Sequence, residues 1–263
     1  MTAPDTRRFP ITLRALTVTA IEDLSPRMRR ITLGGAQIGA FDAGGVAQPA
    51  LQSLGPDDHV KLFFADPETG LLSLPRQGDG RLHWPEDPPA ISREYTPRGF
   101  DPDSGRLVLD FVLHGHGVAG SWAAQARLGD VIHIGGPKAS MLLPDAGHYL
   151  LLGDETAIPA IANWLEMLPA EARVDAHILS AEPAARIALR APRAARIAWY
   201  THDPQDTEAL VRLAGTPGRD SFVWAAGERG AITALRAHLT ALDHPRDLTD
   251  LSNYWTLGEA AKD

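Results

Sequence analysis

Ser92-Arg93-Glu94-Tyr95-Thr96-Pro97-Arg98 sets a cation, a phenol and a hydroxyl on a few extended residues just ahead of a clear strand. Alternation along an extended segment puts Arg93 and Tyr95 on one face, and Pro97 biases Thr96 to the extended region as well. A planar guanidinium matches the paired oxygens of a pyrophosphate, an aromatic ring can lie against an isoalloxazine, and a threonine hydroxyl or a backbone N–H can reach the flavin edge. The stretch reads as a flavin cradle. On its own it reads equally as an edge strand with a solvated arginine, so the surrounding chain decides.

The 263 residues, 44% of them hydrophobic, suffice for two domains of ordinary size. A formal charge of −8 repels phosphate backbones and anionic membranes, so neither nucleic acid nor a membrane is expected as a partner. The sequence contains no cysteine, which excludes disulfides, thiolate-ligated zinc, thiol nucleophiles and ordinary iron–sulfur clusters within it. Any redox chemistry therefore needs a bound cofactor. The first thirty residues lack a continuous apolar core of the signal-peptide kind, and no later run reaches the roughly eighteen apolar residues of a membrane span. A soluble cytoplasmic monomer is expected.

Residues 1–10 are polar and basic and read as a tail disordered at its very end. Residues 13–21 and 28–33 read as strands joined by a turn at Asp23-Leu24-Ser25-Pro26, and 57–64 as a third. Gly, Pro and acidic residues dominate 66–92, a long surface excursion with a short hairpin expected at 81–84. After the cradle, a turn at Asp101-Pro102-Asp103-Ser104-Gly105 leads into a strand over 106–114. There Leu107, Leu109, Phe111 and Leu113 share one face, and Val108, Asp110, Val112 and His114 the other. A Gly-rich loop running into a short helix follows over 115–126, then a strand over 130–134. Five or six short strands with little helix make residues 1–143 an antiparallel β-barrel or sandwich. Near Pro144 the texture changes. Strands at 148–152, 174–180, 196–200 and 222–226 alternate with a helix carrying Ile158, Ile161, Leu165 and Leu168 and another over 228–242. That alternation makes residues 144–263 an α/β domain on a parallel sheet. The Ala-, Arg- and Pro-rich segment 183–195 carries no assignment.

Two further stretches carry chemistry. In His114-Gly115-His116-Gly117-Val118-Ala119-Gly120-Ser121-Trp122, glycines allow close backbone approach, and N–H groups ahead of a helix form a nest for phosphate oxygens with Ser121 as an added donor. A Gly-rich hairpin end is the alternative. Its histidines lack a carboxylate or a third histidine at matching spacing, so no metal site is expected. Gly153-Asp154-Glu155-Thr156-Ala157 follows the first parallel strand and opens a helix, the place where open α/β sheets bind ligands. It is not the Gly-x-Gly-x-x-Gly fingerprint, and Thr156 alone reads equally as an N-cap. Ala226-Gly227-Glu228 repeats the arrangement at the fourth strand.

The order of these parts resembles the ferredoxin-reductase superfamily and, more narrowly, the siderophore-interacting protein family of FAD-containing ferric-siderophore reductases. The stretches that carry the resemblance run in order from Asp58-His59-Val60-Lys61-Leu62 through Arg93-Glu94-Tyr95-Thr96-Pro97-Arg98 and Asp110-Phe111-Val112-Leu113-His114-Gly115. They continue with Gly120-Ser121-Trp122-Ala123, Gly153-Asp154-Glu155-Thr156-Ala157-Ile158-Pro159-Ala160, Trp224-Ala225-Ala226-Gly227-Glu228 and Tyr254-Trp255. The resemblance implies an N-terminal FAD-binding barrel and a C-terminal NAD(P)-binding-like domain, with FAD in a barrel groove facing the second domain. Arg93, Tyr95 and Thr96 would hold its pyrophosphate and isoalloxazine, Asp110, Val112 and His114 its flavin and ribose side, and Gly117, Ala119 and Ser121 its pyrophosphate region. Asp154, Thr156 and Glu228 would form the pyridine-nucleotide side, with Trp255 near the flavin.

The implied activity is NAD(P)H-dependent reduction of a ferric siderophore through FAD, releasing ferrous iron. The rivals are a general flavin reductase or diaphorase, and a flavin-bearing siderophore-binding protein reduced by a ferredoxin. Outer-sphere electron transfer needs no protein acid or base, so no catalytic residue is assigned. Lys61, Lys138 and Lys262, the three lysines of the chain, are expected to attract an anionic siderophore; each alone reads equally as a solvated charge. Two departures from the family pattern bear on that contact. Gly136-Pro137-Lys138-Ala139-Ser140 stands where the family tends to carry Gly-Pro-Arg-Gly-Ser, and Thr256 follows Tyr254-Trp255 where a basic residue is usual.

Overall fold

The computed structural model describes residues 4–78, 80–115 and 117–258. They form two compact units, one over residues 6–141 and one over residues 142–258 together with residues 4–5.

The first unit is built on seven strands: β1 (Leu13–Ser25), β2 (Met28–Gly34), β3 (Val60–Phe64), β4 (Ile91–Tyr95), β5 (Pro97–Asp101), β6 (Arg106–Val112) and β7 (Val131–Gly135). Their order across the sheet is β5-β6-β2-β1-β7-β3-β4, and every pairing is antiparallel. β4 and β5 are thus the two opposite edges, yet Thr96 alone separates them in sequence. In a flat sheet those edges would stand about 29 Å apart, six strand spacings, whereas one intervening residue bridges far less. The sheet must curl on itself, and Thr96 lies at the seam of a barrel. The single extended segment expected over 93–98 is therefore two strands, with Pro97 placed first in β5, where a missing N–H is tolerated. Register shifts in β1 opposite β2, between Val18 and Ala20 and between Asp23 and Ser25, add the twist that closure needs.

The core follows the alternation of β6: Leu107, Leu109 and Phe111 are fully buried with Leu16, Val18, Ile31, Leu33, Leu62 and Ile134. Helix α1 (Val118–Gln125) adds Ala119 and Ala123 to the same core. Two expectations need correction. Thr6–Arg8, read as part of a tail, is a strand paired with Ala139–Met141, held by ladder hydrogen bonds that leave no apolar pattern in the sequence. In the excursion, Leu82–His83 pairs with Arg76–Gln77 rather than closing a hairpin within 81–84. Gly78 lies beside the end of this ribbon, where a Cβ would meet the exposed His83 ring at 2.3 Å and require it to swing aside.

The second unit is a parallel sheet of β8 (His148–Gly153), β9 (Val174–Ser180), β10 (Arg196–Thr201), β11 (Ser221–Glu228) and β12 (Thr249–Trp255), in the order β10-β9-β8-β11-β12. Helices α2 (Ile158–Met167), α3 (Ala209–Ala214) and α4 (Arg229–Ala241) cover it. Ile232, Leu235 and Leu239 of α4 pack with Leu210 of α3 on Leu150, Leu152, Val223 and Ala225. The alternate residues of β8 and β11 meet α2 in an aromatic cluster, where the Trp164 ring lies 5.5 Å from Phe222 and 6.3 Å from Trp224 and Tyr149. β11 is buried along its whole length, as a central parallel strand must be. α3 and β12 were not expected: six residues carry too little helical period to register, and Thr249-Asp250-Leu251-Ser252-Asn253 on the sheet edge lacks an apolar run. Among the described residues no helix is long and apolar enough to cross a membrane.

Candidate functional site

In the barrel, Arg93 lies opposite Leu62 and Tyr95 opposite Val60. Directly paired residues share a face, so both side chains project to the core side while Glu94, opposite Lys61, projects outward. The Tyr95 ring centroid is 4.4 Å from Phe111, and Phe111 is 5.6 Å from Trp122 of α1. One buried phenyl thus holds the Arg93-x-Tyr95-Thr96 stretch and the helix after the Gly-rich loop against the same wall. Burial pushes the Tyr95 hydroxyl well above its ordinary range, so it stays protonated. Arg93 Nη1 donates to the Ser92 carbonyl at 2.6 Å, and Thr96 is buried at the seam.

Helix α1 begins at Gly117, whose φ of 79° and ψ of 150° suit glycine alone; Gly115 also has φ 79°. The first N–H groups of a helix have no intrahelical acceptor, and glycine offers no capping side chain, so this end presents bare donors. The His114 ring lies beside it, 3.5 Å from where a Cβ on Gly117 would be. Ser121 is exposed on the first turn, whereas Ala119 is buried in the barrel core. The far end is fixed by Arg29, which donates to the carbonyls of Ala123 and Ala124 at 3.1 and 2.9 Å. Its other nitrogens bond Asp23 at 2.6 and 3.1 Å. Asp110 accepts two bonds from Arg30, at 2.7 and 2.8 Å, and with Val112 occupies the face of β6 opposite the core. The barrel candidates therefore lie on both faces of the sheet.

Of the lysines, Lys61 is 2.6 Å from Glu94 Oε1 and 5.9 Å from the Trp84 ring. Lys138 is exposed on a loop anchored by Ser140, whose hydroxyl donates to Asp58 at 2.6 Å. The same Asp58 oxygen accepts from Ser53 Oγ and Leu54 N, both at 2.8 Å, and from Gly55 N at 3.2 Å; burial nonetheless pushes this carboxyl above its usual range. Lys262 lies outside the described residues.

In the second unit the strand order reverses between β8 and β11, which makes their carboxyl ends the expected ligand crevice. Both glycines there are required by contact. A Cβ on Gly153 would be 2.4 Å from the Ala157 methyl, and one on Gly227, with φ 150°, would be 2.5 Å from Asp154 Oδ2. Asp154 is the hub. Its Oδ1 accepts from Thr156 N at 2.8 Å and Thr156 Oγ1 at 2.5 Å; its Oδ2 accepts from Glu228 N at 3.0 Å and Trp255 Nε1 at 2.8 Å. Burial pushes the Asp154 carboxyl up against these four donors. Glu228 in turn caps α4 through Ala231 N at 3.0 Å and accepts from Leu257 N at 3.2 Å. The structure thus ties together Asp154, Thr156, Glu228 and Trp255, which lie in three separate stretches singled out in the sequence. Glu155, within the stretch quoted from the sequence, accepts from Ala181 N at 2.8 Å through its Oε1, whereas sequence reasoning missed Arg29 and Arg30. Only strand register could have revealed the two arginines.

Residues 17–141 match the siderophore-interacting FAD-binding domain, and residues 146–258 match the siderophore-interacting protein family. The chain belongs to the siderophore-interacting protein family. It is 32% identical over 256 residues to the NADPH-dependent ferric-chelate reductase of Escherichia coli K12, covering 96% of each chain. It is 29% identical to the ferric vibriobactin reductase ViuB of Vibrio cholerae, over 90% of this chain and 86% of that one. A siderophore utilization protein from T. fusca has the same fold at a TM-score of 0.88 and 38% identity, covering 99% of this chain and 98% of that chain. The residues present fit the FAD that the family name implies. The helix end at Gly117, the positive-φ glycines Gly115 and Gly117 and the Arg93 guanidinium are donor groups of the kind a pyrophosphate would take, and the Tyr95 ring is held by Phe111.

Proposed function

We propose that this chain is an FAD-dependent oxidoreductase that passes electrons from NAD(P)H to a ferric siderophore and so releases ferrous iron. The observation that carries this reading is the packing of Tyr95 and of α1 on one phenyl, Phe111, which sets an aromatic face beside a bare helix N-terminus. Bound FAD supplies the conversion of a two-electron hydride donor into a one-electron reductant.

The chain's own residues bind and orient. Arg93 offers paired donors to a pyrophosphate, the first N–H groups of α1 and Ser121 add theirs, and Thr96 at the seam reaches the flavin edge. His114 lies against the same helix end, while Asp110, fixed by Arg30, and Val112 line the ribose side on the other face of β6. In the second unit Gly153 and Gly227 let Ala157 and Asp154 pack closely at the carboxyl ends of β8 and β11, where a dinucleotide would lie, and Asp154, with Thr156 and Glu228, fixes the Trp255 indole. Overall, NAD(P)H gives up a hydride, two ferric chelates each gain one electron, and one proton is left over. Ferrous iron holds hard oxygen donors less tightly and leaves. No side chain has to move a proton.

The reaction is assigned to the cytoplasm and to a single chain, in keeping with a polypeptide that carries both the FAD-type and the nucleotide-type half. Three carboxylates at the carboxyl end of the parallel sheet, Asp154, Glu155 and Glu228, disfavour phosphate groups and support a second reading in which a ferredoxin supplies the electrons. A steady-state assay with a ferrous trap tests the reading. About two ferrous ions should form per NAD(P)H oxidised, and activity should vanish when FAD is stripped and return when it is restored. Nucleotide oxidation without ferrous iron would leave only a diaphorase.

A further inference from the structure

Resting on the reductase reading above, we propose that this chain takes NADH in preference to NADPH, because a slot at the carboxyl end of β10 receives the adenosine half and its carboxylate rim rejects a ribose 2′-phosphate. Open parallel sheets take dinucleotides across the carboxyl ends of their strands, at the point where the strand order reverses. That point lies between β8 and β11, and β10 stands two strand spacings from β8, about 10 Å away. A dinucleotide extended from there along the strand ends brings its adenosine to β9 and β10.

An opening of about 210 Å³ lies at that place, walled by Leu179 of β9, Tyr200 of β10 and Ala209 and Leu213 of α3. Tyr200 is paired in register with Leu179, and its hydroxyl lies 2.9 Å from His177 Nδ1, which fixes the ring as one wall. The walls suit one planar ring system. The rim is acidic. Asp203 is exposed and makes no ion pair among the described residues; its Oδ1 accepts from Gln205 N at 3.0 Å. Arg212, the one arginine of the lining, is turned to Asp206, with Nη1 donating to Oδ1 at 3.2 Å and Nη2 to Oδ2. His202 completes the rim. The exposed Arg186, Arg190, Arg193 and Arg229 do not line the slot. The loop that carries Asp203 and Asp206 also borders the crevice, since a Cβ on Gly230, at the start of α4, would be 2.9 Å from Thr207 Cγ2. A carboxylate beside a bound ribose accepts a hydrogen bond from a free 2′-hydroxyl, whereas a 2′-phosphate sets about −1.5 to −2 charges against it.

The test is anaerobic bleaching of the FAD-loaded protein by NADH and by NADPH at equal, subsaturating concentrations and about pH 8, well above the ordinary imidazole range. NADH should bleach the flavin about tenfold faster or more, the scale of a like-charge clash in a binding site. Of the two adenosine fragments, 5′-AMP should compete with NADH more strongly than 2′,5′-ADP. Asp203→Arg should move the NADPH-to-NADH ratio up by about tenfold and reverse the order of the two fragments, and Asp203→Asn, which keeps the shape and removes the charge, should move both in the same direction by less. An NADPH rate equal to or above that of NADH overturns the proposal. So does a ratio that both variants leave unchanged while their circular dichroism and flavin content match the parent protein. A flavin that neither nucleotide bleaches contradicts the reductase reading itself, a distinct result.

Discussion

Arg93 illustrates how far single residues speak and where they stop. Its placement with Tyr95 on one face could be read from alternation, and the pairing with Leu62 and Val60 bears that out. If its guanidinium holds a pyrophosphate, Arg93→Ala removes charge-assisted bonds whose loss weakens binding by about ten- to a hundredfold. FAD should then be lost on a desalting column while the far-ultraviolet circular dichroism is unchanged; full retention with an unaltered flavin spectrum would refute the role. What the sequence could not show is which partner fixes each such residue. Asp110 and Arg30 are 80 positions apart and meet only through the β2–β6 register. Asp154 and Trp255 are 101 positions apart, and their bond depends on three strands being in place. Residue types were legible, whereas bonds made across the sheet were not.

Helix α1 is an element whose start is set by backbone conformation. Gly117 sits at φ 79° and ψ 150°, a region essentially closed to other residues, so Gly117→Ala costs about 1–3 kcal/mol of local strain. The barrel core does not depend on that residue, and the bare helix end does. The variant should keep its sheet by circular dichroism and bind FAD more weakly in a fluorescence titration; unchanged affinity would mean that this end holds no part of the cofactor. Elements with a strong period were legible: β6 with its buried Leu107, Leu109 and Phe111, and α4 with Ile232, Leu235 and Leu239. The break at Thr96 was not, because an extended run reads the same whether it stays in one strand or crosses a barrel seam. The edge strand β12 and the six-residue α3 were missed because neither carries a sustained apolar repeat.

At the scale of the whole molecule, a chain without cysteine joins a closed antiparallel barrel to a parallel sheet with its switch point between β8 and β11. Composition alone dictated that any redox work be done by a bound cofactor. Alternating strand and helix after Pro144 pointed to the parallel sheet, while the choice between barrel and sandwich for the first half turned on one fact absent from composition, that β4 and β5 are neighbours in sequence and opposite edges in the sheet. The central claim is that electrons pass from a nicotinamide through a flavin held by this chain to ferric iron. An anaerobic stopped-flow experiment on the purified, FAD-loaded protein addresses it directly: mix with NADPH, or separately with NADH, then with a ferric siderophore, and follow the visible flavin band. Loss of the band with at least one nucleotide and its recovery on adding the chelate is the expected result; a flavin that neither nucleotide bleaches, or that stays bleached in the presence of the ferric chelate, would contradict it.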